Sequence, residues 1–269
     1  MREKNNFILV KKELLGIPIH DCTLSNLIKY LDRQIINNVK TIVYGFSVTT
    51  LGRLKEMPEF LSWWEKSDIT IADGAGIPIL ARIFGVHISE HIGLSNITEE
   101  MINLAEERHY KILLFGATKE INEKAYKNLR SRYKNINFCE GIDGYFNKED
   151  EEHIINKINK ENPDILFIGI SSPIKENFAL MYKAKLKTKV IVLCGGMIDI
   201  LAGFTKREPN IIKRLPIAWI YRFIQEPKRL FKPVFFSGLR FAFCYFPVLL
   251  FRHFSNIEKN PSIQNLLKI

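Results

Sequence analysis

Asp73 stands between Ala72 and Gly74, where an apolar run over residues 69–72 gives way to Gly74-Ala75-Gly76. A carboxylate at the end of a buried strand is partly desolvated, which raises its pKa and suits it to take a proton from a hydroxyl. An aspartate just ahead of a helix can equally act as its cap, and spacing alone leaves both open. A second cluster follows the apolar residues 190–193, where Gly195 and Gly196 precede Asp199, Lys206 and Arg207. Glycines let backbone N–H groups approach a ligand, and a helix start behind them favours anionic groups such as phosphates. In Ser171-Ser172-Pro173-Ile174-Lys175-Glu176 a proline at a helix start follows small residues, which suits a tight turn beside a ligand.

The net charge of +10 is unevenly placed. Between Thr205 and Lys259 eleven Lys and Arg residues face three acids, so most of the excess sits in the last fifth of the chain. Such a tail seeks phospholipid, lipid diphosphate or nucleic acid. Arg214, Arg222 and Arg229 carry guanidinium forks that match phosphate oxygens, or they are ordinary solvated charge. The stretch 234–251 is strongly apolar and aromatic but is interrupted by Gly238, Arg240 and Pro247. It falls short of the ~20 uninterrupted apolar residues of a spanning helix and reads as an interfacial segment or a C-terminal core helix.

Positioning these groups requires a scaffold, and apolar β-rich runs alternate with helical stretches throughout. Strands are expected over residues 41–44, 69–72, 111–115, 136–140, 165–170 and 190–193. Helices are expected over 24–37, 77–84, 97–108, 119–133, 148–160 and 174–185, and a strand or hairpin over 7–19 turns near Gly16-Ile17-Pro18. That alternation predicts an α/β fold, a Rossmann-like, mostly parallel sheet flanked by helices. Domains are expected at 1–208, the α/β catalytic part, and 209–269, a basic, partly apolar helical appendage. Ligands of such sheets sit beyond the carboxyl ends of the strands, where Gly74, Gly76, Gly116, Tyr145 and Ser171 all fall. No GxGxxG or GxxxxGK[ST] follows a strand, which excludes a dinucleotide fingerprint and a P-loop. Cys22, Cys139, Cys194 and Cys244 show no ligand spacing and read as buried thiols, and no secretory leader is expected at the start.

The run from Gly195 to Pro209 closely resembles the "GG-x-x-D-x-x-aG-x-x-x-RaP" signature of the WecG/TagA/CpsF glycosyltransferases. Asp73-Gly74-Ala75-Gly76 resembles the family's "pDG-x-G", Gly144-Tyr145-Phe146 its "GyF", and Pro173-Ile174-Lys175-Glu176 its "PKQE". The run from Trp219 to Arg229 resembles its "EW-x-y-R-l-x-x-eP-x-R" appendage. The resemblance implies transfer of a sugar from a UDP-sugar to an undecaprenyl-diphosphate-linked sugar at the bacterial inner membrane, with Asp73 as base. It further implies that Tyr145 stacks on or bonds to uracil, or simply packs. Asp199 and Arg207 would hold a sugar or ribose hydroxyl and a phosphate, or pair internally. Lys175 would bind the diphosphate as a cation, or lie on a solvated helix face. Arg214, Arg222 and Arg229 would hold the lipid diphosphate. The chain departs from the pattern at Gly45-Phe46-Ser47, where the family has "T-x-N", at His91, which stands for an arginine, and at Ala218, which stands for a glutamate. Lys175 and Ile174 stand for its Gln and Lys.

The expected activity is therefore inverting transfer of a hexose or N-acetylhexosamine for teichoic acid, capsule or exopolysaccharide assembly. No DxD motif occurs, so neither a metal nor a cofactor is expected. Expected partners are the UDP-sugar, the polyprenyl-diphosphate acceptor and the cytoplasmic membrane surface, without nucleic acid and with self-association open. The competing expectation is a non-catalytic homologue, a membrane-associated subunit that binds a UDP-sugar or a partner protein.

Overall fold

A computed structural model describes residues 9–207, 209, 218–255 and 262–263. The chain opens with strands β1 (Val10–Leu14) and β2 (Ile17–Asp21), which pair as a two-stranded sheet. Leu15 and Gly16 turn between them with φ of 55° and 79°, a two-residue hairpin turn, so Ile17 and Pro18 already belong to β2. The alternation follows: α1 (Leu24–Ile36), β3 (Thr41–Phe46), α2 (Val48–Leu51), α3 (Phe60–Lys66), β4 (Ile69–Ala72), α4 (Gly76–Ile83) and α5 (Leu94–Arg108). Then come β5 (Lys111–Gly116), α6 (Lys119–Arg132), β6 (Asn137–Phe138), α7 (Glu151–Glu161), β7 (Ile165–Gly169), α8 (Ile174–Met181), β8 (Val190–Val192) and α9 (Met197–Leu201). The expected strand over 136–140 shortens to two residues, because only Asn137 and Phe138 pair with β5.

Six strands form one sheet in the order β4-β3-β8-β7-β5-β6, and β3–β8, β8–β7, β7–β5 and β5–β6 are parallel. The interior strands read as unbroken apolar runs because helices cover both faces, and residues 112–115, 165–168 and 190–193 are all buried. The α/β, Rossmann-like expectation holds. Two compact units divide the described residues: 9–10, 22–44 and 94–205 in the first, and 11–21, 45–93 and those from 206 onward in the second.

In the first unit the turn after β5 is pinned by Asn122 of α6, which is buried and donates from Nδ2 to the carbonyls of Leu114 and Gly116 at 3.1 and 2.9 Å. In the second unit a helical tail runs through α10 (Ala218–Gln225), α11 (Pro227–Leu230), α12 (Ser237–Arg240) and α13 (Phe246–Phe254). Two π-type stretches, Phe231–Phe236 and Phe241–Tyr245, join the last three. Ser237, Phe241, Tyr245 and Leu249 are buried, while Phe236, Phe243, Phe251 and Phe254 are exposed. The apolar stretch is thus both a packed helix and an open apolar face. Among the described residues no helix is long and apolar enough to cross a membrane.

Candidate active site

The order of strands locates a crevice in the first unit. From β5 the chain passes through α6 to β6 on one side; from β7 it passes through α8 to β8 on the other. Right-handed crossovers then place α6 and α8 on opposite faces, and the sheet opens beyond the carboxyl ends of β5 and β7. At this point a Cβ on Gly116 would stand 2.5 Å from the carbonyl oxygen of Gly169, and its φ is +132°, so glycine is required for the strand ends to meet. The Gly144 N–H donates to the Ala117 carbonyl at 2.9 Å and the Gly195 N–H to the Ile168 carbonyl at 3.3 Å, which draws both loops to the same opening.

Tyr145 is fixed by its backbone, its N–H donating to Asp143 Oδ1 at 2.7 Å, while its side chain is open to solvent at 79% exposure. The next residue, Phe146, packs against Phe115 and Phe178 and anchors the loop. An exposed aromatic ring on a loop drawn to the ends of β5 and β7 suits stacking on a flat heterocycle. Behind the glycine pair, Asp199 lies buried in α9, and its carbonyl accepts the N–H groups of Phe204 and Thr205 at 2.9 and 3.2 Å.

The start of α8 is more tightly organised than its sequence suggests. Ser172 Oγ donates to Glu176 Oε1 at 2.7 Å, and the Lys175 ammonium donates to both of these atoms. Glu176 is fully buried, and its Oε2 has no hydrogen-bond partner among the described residues. Lys175 is therefore neither a free cation nor part of a solvated face; its charge is largely balanced by a buried carboxylate. A buried acceptor left unmade costs about 1–3 kcal/mol. Ser171 and Pro173 complete the turn, Ser171 exposed and its carbonyl accepting from the Ile174 N–H at 3.0 Å. Cys194 follows β8, and its thiol is pushed up to about 12, chiefly by burial, while Lys175 draws it down and Asp199 draws it up.

In the second unit, Asp73 sits at the carboxyl end of β4, half-buried, its N–H donating to the Phe46 carbonyl at 2.8 Å. That bond sets the loop after β4 beside the loop after β3. There Ser47 caps α2: Thr50 N–H donates to Ser47 Oγ at 3.4 Å, and Ser47 N–H to Thr50 Oγ1 at 3.3 Å. Ser47 Oγ also meets Thr49 Oγ1 at 2.7 Å. Gly76 has Val48 so close that a Cβ would stand 2.7 Å from it, whereas the space above Gly74 is open. The loop after β4 thus carries the carboxylate, and the loop after β3, joined to it through that backbone bond, carries the three hydroxyls. The signal for this hydroxyl cluster in the sequence is a Ser after a strand with a Thr three residues on, starting where the family has "T-x-N". Arg207 is half-buried in this unit. Arg214 lies outside the described residues, as do the side chains of Arg222 in α10 and Arg229 in α11.

The family model described as glycosyl transferase WecG/TagA/CpsF family matches residues 12–254. Three curated relatives from Staphylococcus aureus, strains MRSA252, MW2 and NCTC 8325, are each 28% identical over 240 residues. Each alignment covers 86% of this chain and 90% of the relative. All three are named N-acetylglucosaminyldiphosphoundecaprenol N-acetyl-beta-D-mannosaminyltransferase.

Proposed function

Because the chain belongs to the WecG/TagA/CpsF family of glycosyl transferases, we propose that it moves an N-acetylhexosamine, N-acetylmannosamine in the first instance, from UDP to a sugar on undecaprenyl diphosphate. The observation that carries the reading is Asp73, half-buried at the end of a strand and held through its backbone N–H to the end of β3, just ahead of the loop that bears Ser47, Thr49 and Thr50. In the proposed step an acceptor hydroxyl oxygen attacks the anomeric carbon as its proton passes to the Asp73 carboxylate. The bond from that carbon to the β-phosphate oxygen breaks, the electron pair leaves with UDP, and the configuration inverts. Tyr145 stacks on the uracil, and Gly195 and Gly196 offer backbone N–H groups to the diphosphate, with Arg207 adding a guanidinium fork. Arg214, Arg222 and Arg229 take the lipid diphosphate on the cytoplasmic face of the inner membrane. The exposed aromatic face of the tail helix supports that location.

The test replaces Asp73 by asparagine and measures UDP release with a lipid-linked N-acetylglucosamine acceptor in detergent. Loss of a general base costs about 10²–10⁴-fold in turnover, so Asp73→Asn is expected to keep UDP affinity and lose transfer by that order. Unchanged turnover removes Asp73 from the role. Wild-type protein that binds the UDP-sugar yet releases no UDP would favour the non-catalytic alternative.

A further inference from the structure

The pairing of Lys175 with Glu176 changes what the start of α8 can recognise. A diphosphate would need a cation with charge to spare, but the Lys175 charge is already paired with the Glu176 carboxylate, and two of its three N–H groups go to Glu176 Oε1 and Ser172 Oγ. What remains unused is different in kind. Glu176 Oε2 is an acceptor without a donor, and among the described residues the third ammonium proton of Lys175 also finds no partner. An ion pair with one unused acceptor and one unused donor matches the alternating donors and acceptors of a sugar, not a polyanion.

Its position agrees. Glu176 belongs to the first turn of α8, directly after β7, and β7 is one of the two strands whose ends frame the crevice. A Cβ on Gly169, the last residue of β7, would stand 2.9 Å from the Gly195 carbonyl oxygen, so the turn that leads from β7 into α8 starts beside the loop assigned to the diphosphate. Native proteins seldom leave a buried carboxylate oxygen without a donor, and a ligand group or an ordered water fills such a place.

Resting on the reading above, we infer that Glu176 is the sugar-reading residue of the donor site. Its Oε2 accepts a hydrogen bond from a hydroxyl or the acetamido N–H of the UDP-linked N-acetylhexosamine, while Lys175 and Ser172 hold Oε1. Glu176 thereby distinguishes UDP-sugar from UDP, which lacks those donors.

The experiment titrates full-length protein with UDP and with UDP-N-acetylmannosamine by calorimetry, for wild type, Glu176→Gln and the double variant Lys175→Gln/Glu176→Gln. The double variant removes both buried charges together, so no lone ammonium is left to unfold the helix start. Both variants are expected to weaken UDP-N-acetylmannosamine about tenfold or more, the effect of a lost hydrogen bond to a charged group, and to leave UDP within about twofold. Equal weakening of both ligands, or of neither, overturns the inference, because a structural glutamate or a water-filled site would not separate them. A wild-type protein that neither binds UDP-N-acetylmannosamine nor transfers its sugar overturns the transferase reading itself, and this inference with it. Wild-type transfer with unaltered sugar affinity in the variants overturns the inference alone.

Discussion

His20 shows how a single side chain ties strands together in the second unit. Its Nδ1 accepts the Thr70 N–H at 3.0 Å, which requires the ring to be unprotonated at that nitrogen and links β2 to β4 just ahead of Asp73. Burial pushes the imidazole below its ordinary value of 6.5, with Lys11 pressing in the same direction and Asp68 opposing it. A folded-state pKa below the unfolded one means the unfolded chain binds the proton more readily. The contribution is thus present above pH 6.5 and is lost as the pH falls through the folded value. Urea midpoints measured from pH 8 to 5.5 are expected to decline for wild type and to decline less for His20→Asn, whose amide oxygen can accept the same N–H. Equal slopes would show that His20 does not titrate on unfolding. Asp21 next door behaves likewise at lower pH: burial opposes its charge, but Lys12 and Ser89 win and hold it below the usual carboxylate range. At this scale Asp73 was legible because its type and its strand-end position are both written in the chain. The bond between Ser172 and Glu176, and the pairing that neutralises Lys175, were not legible. Whether a helix-start lysine points outward or folds back on its neighbour depends on packing that no spacing encodes.

Among the elements, the tail helix and α2 owe their contact to one missing side chain. A Cβ on Gly52 would stand 1.9 Å from the Ser237 carbonyl oxygen, so backbone meets backbone where α2 ends. Arg240 NH1 reinforces the junction with Glu56 Oε1 at 2.7 Å. Ser237, Phe241, Tyr245 and Leu249 recur every four residues on the buried side. In a pure α-helix a four-residue repeat drifts by about 40° per step, and the wider π-type turn over Phe241–Tyr245 takes up that drift and keeps the stripe facing α2. Gly52→Val is expected to cost about 1–3 kcal/mol by overpacking and to expose the tail to limited proteolysis before the rest of the chain. Undiminished protection of residues 237–254 would mean that the junction does not depend on that glycine. The periodicity of α1, α5 and α6 and the apolar runs of β5, β7 and β8 made most elements readable. Helices α2 and α3 were not read, because Val48–Leu51 is a single turn and Phe60–Lys66 is only seven residues, too short for its buried Phe60, Trp63 and Trp64 to repeat a period.

At the scale of the whole molecule, charge and apolar surface concentrate in the same part of the sequence. The tail that carries most of the excess positive charge also exposes Phe243, Phe251 and Phe254 at 76, 65 and 71%, with Phe231, Phe236 and Ile224 exposed as well. Water-exposed aromatics in such number are costly for a surface that has no partner, and an anionic bilayer satisfies both halves of the pattern. Composition alone shows a basic, aromatic tail; it does not tell which residues pack and which remain open, since both sets are equally aromatic. If the open face rests on lipid, burying one phenylalanine is worth about 1.5–3 kcal/mol, so Phe243→Ser with Phe251→Ser is expected to lower partition onto phosphatidylglycerol vesicles by about 100-fold or more. Raising the salt is expected to weaken binding further on the same vesicles, and phosphatidylcholine vesicles are expected to retain less protein, because the cations contribute separately from the rings. Sedimentation of full-length wild type and variant with vesicles reads both effects. Because the substituted residues lie on the exposed face, thermal stability in detergent is expected to stay within about 1 kcal/mol. A variant that sediments as well as wild type would show that the aromatic face does not bind lipid.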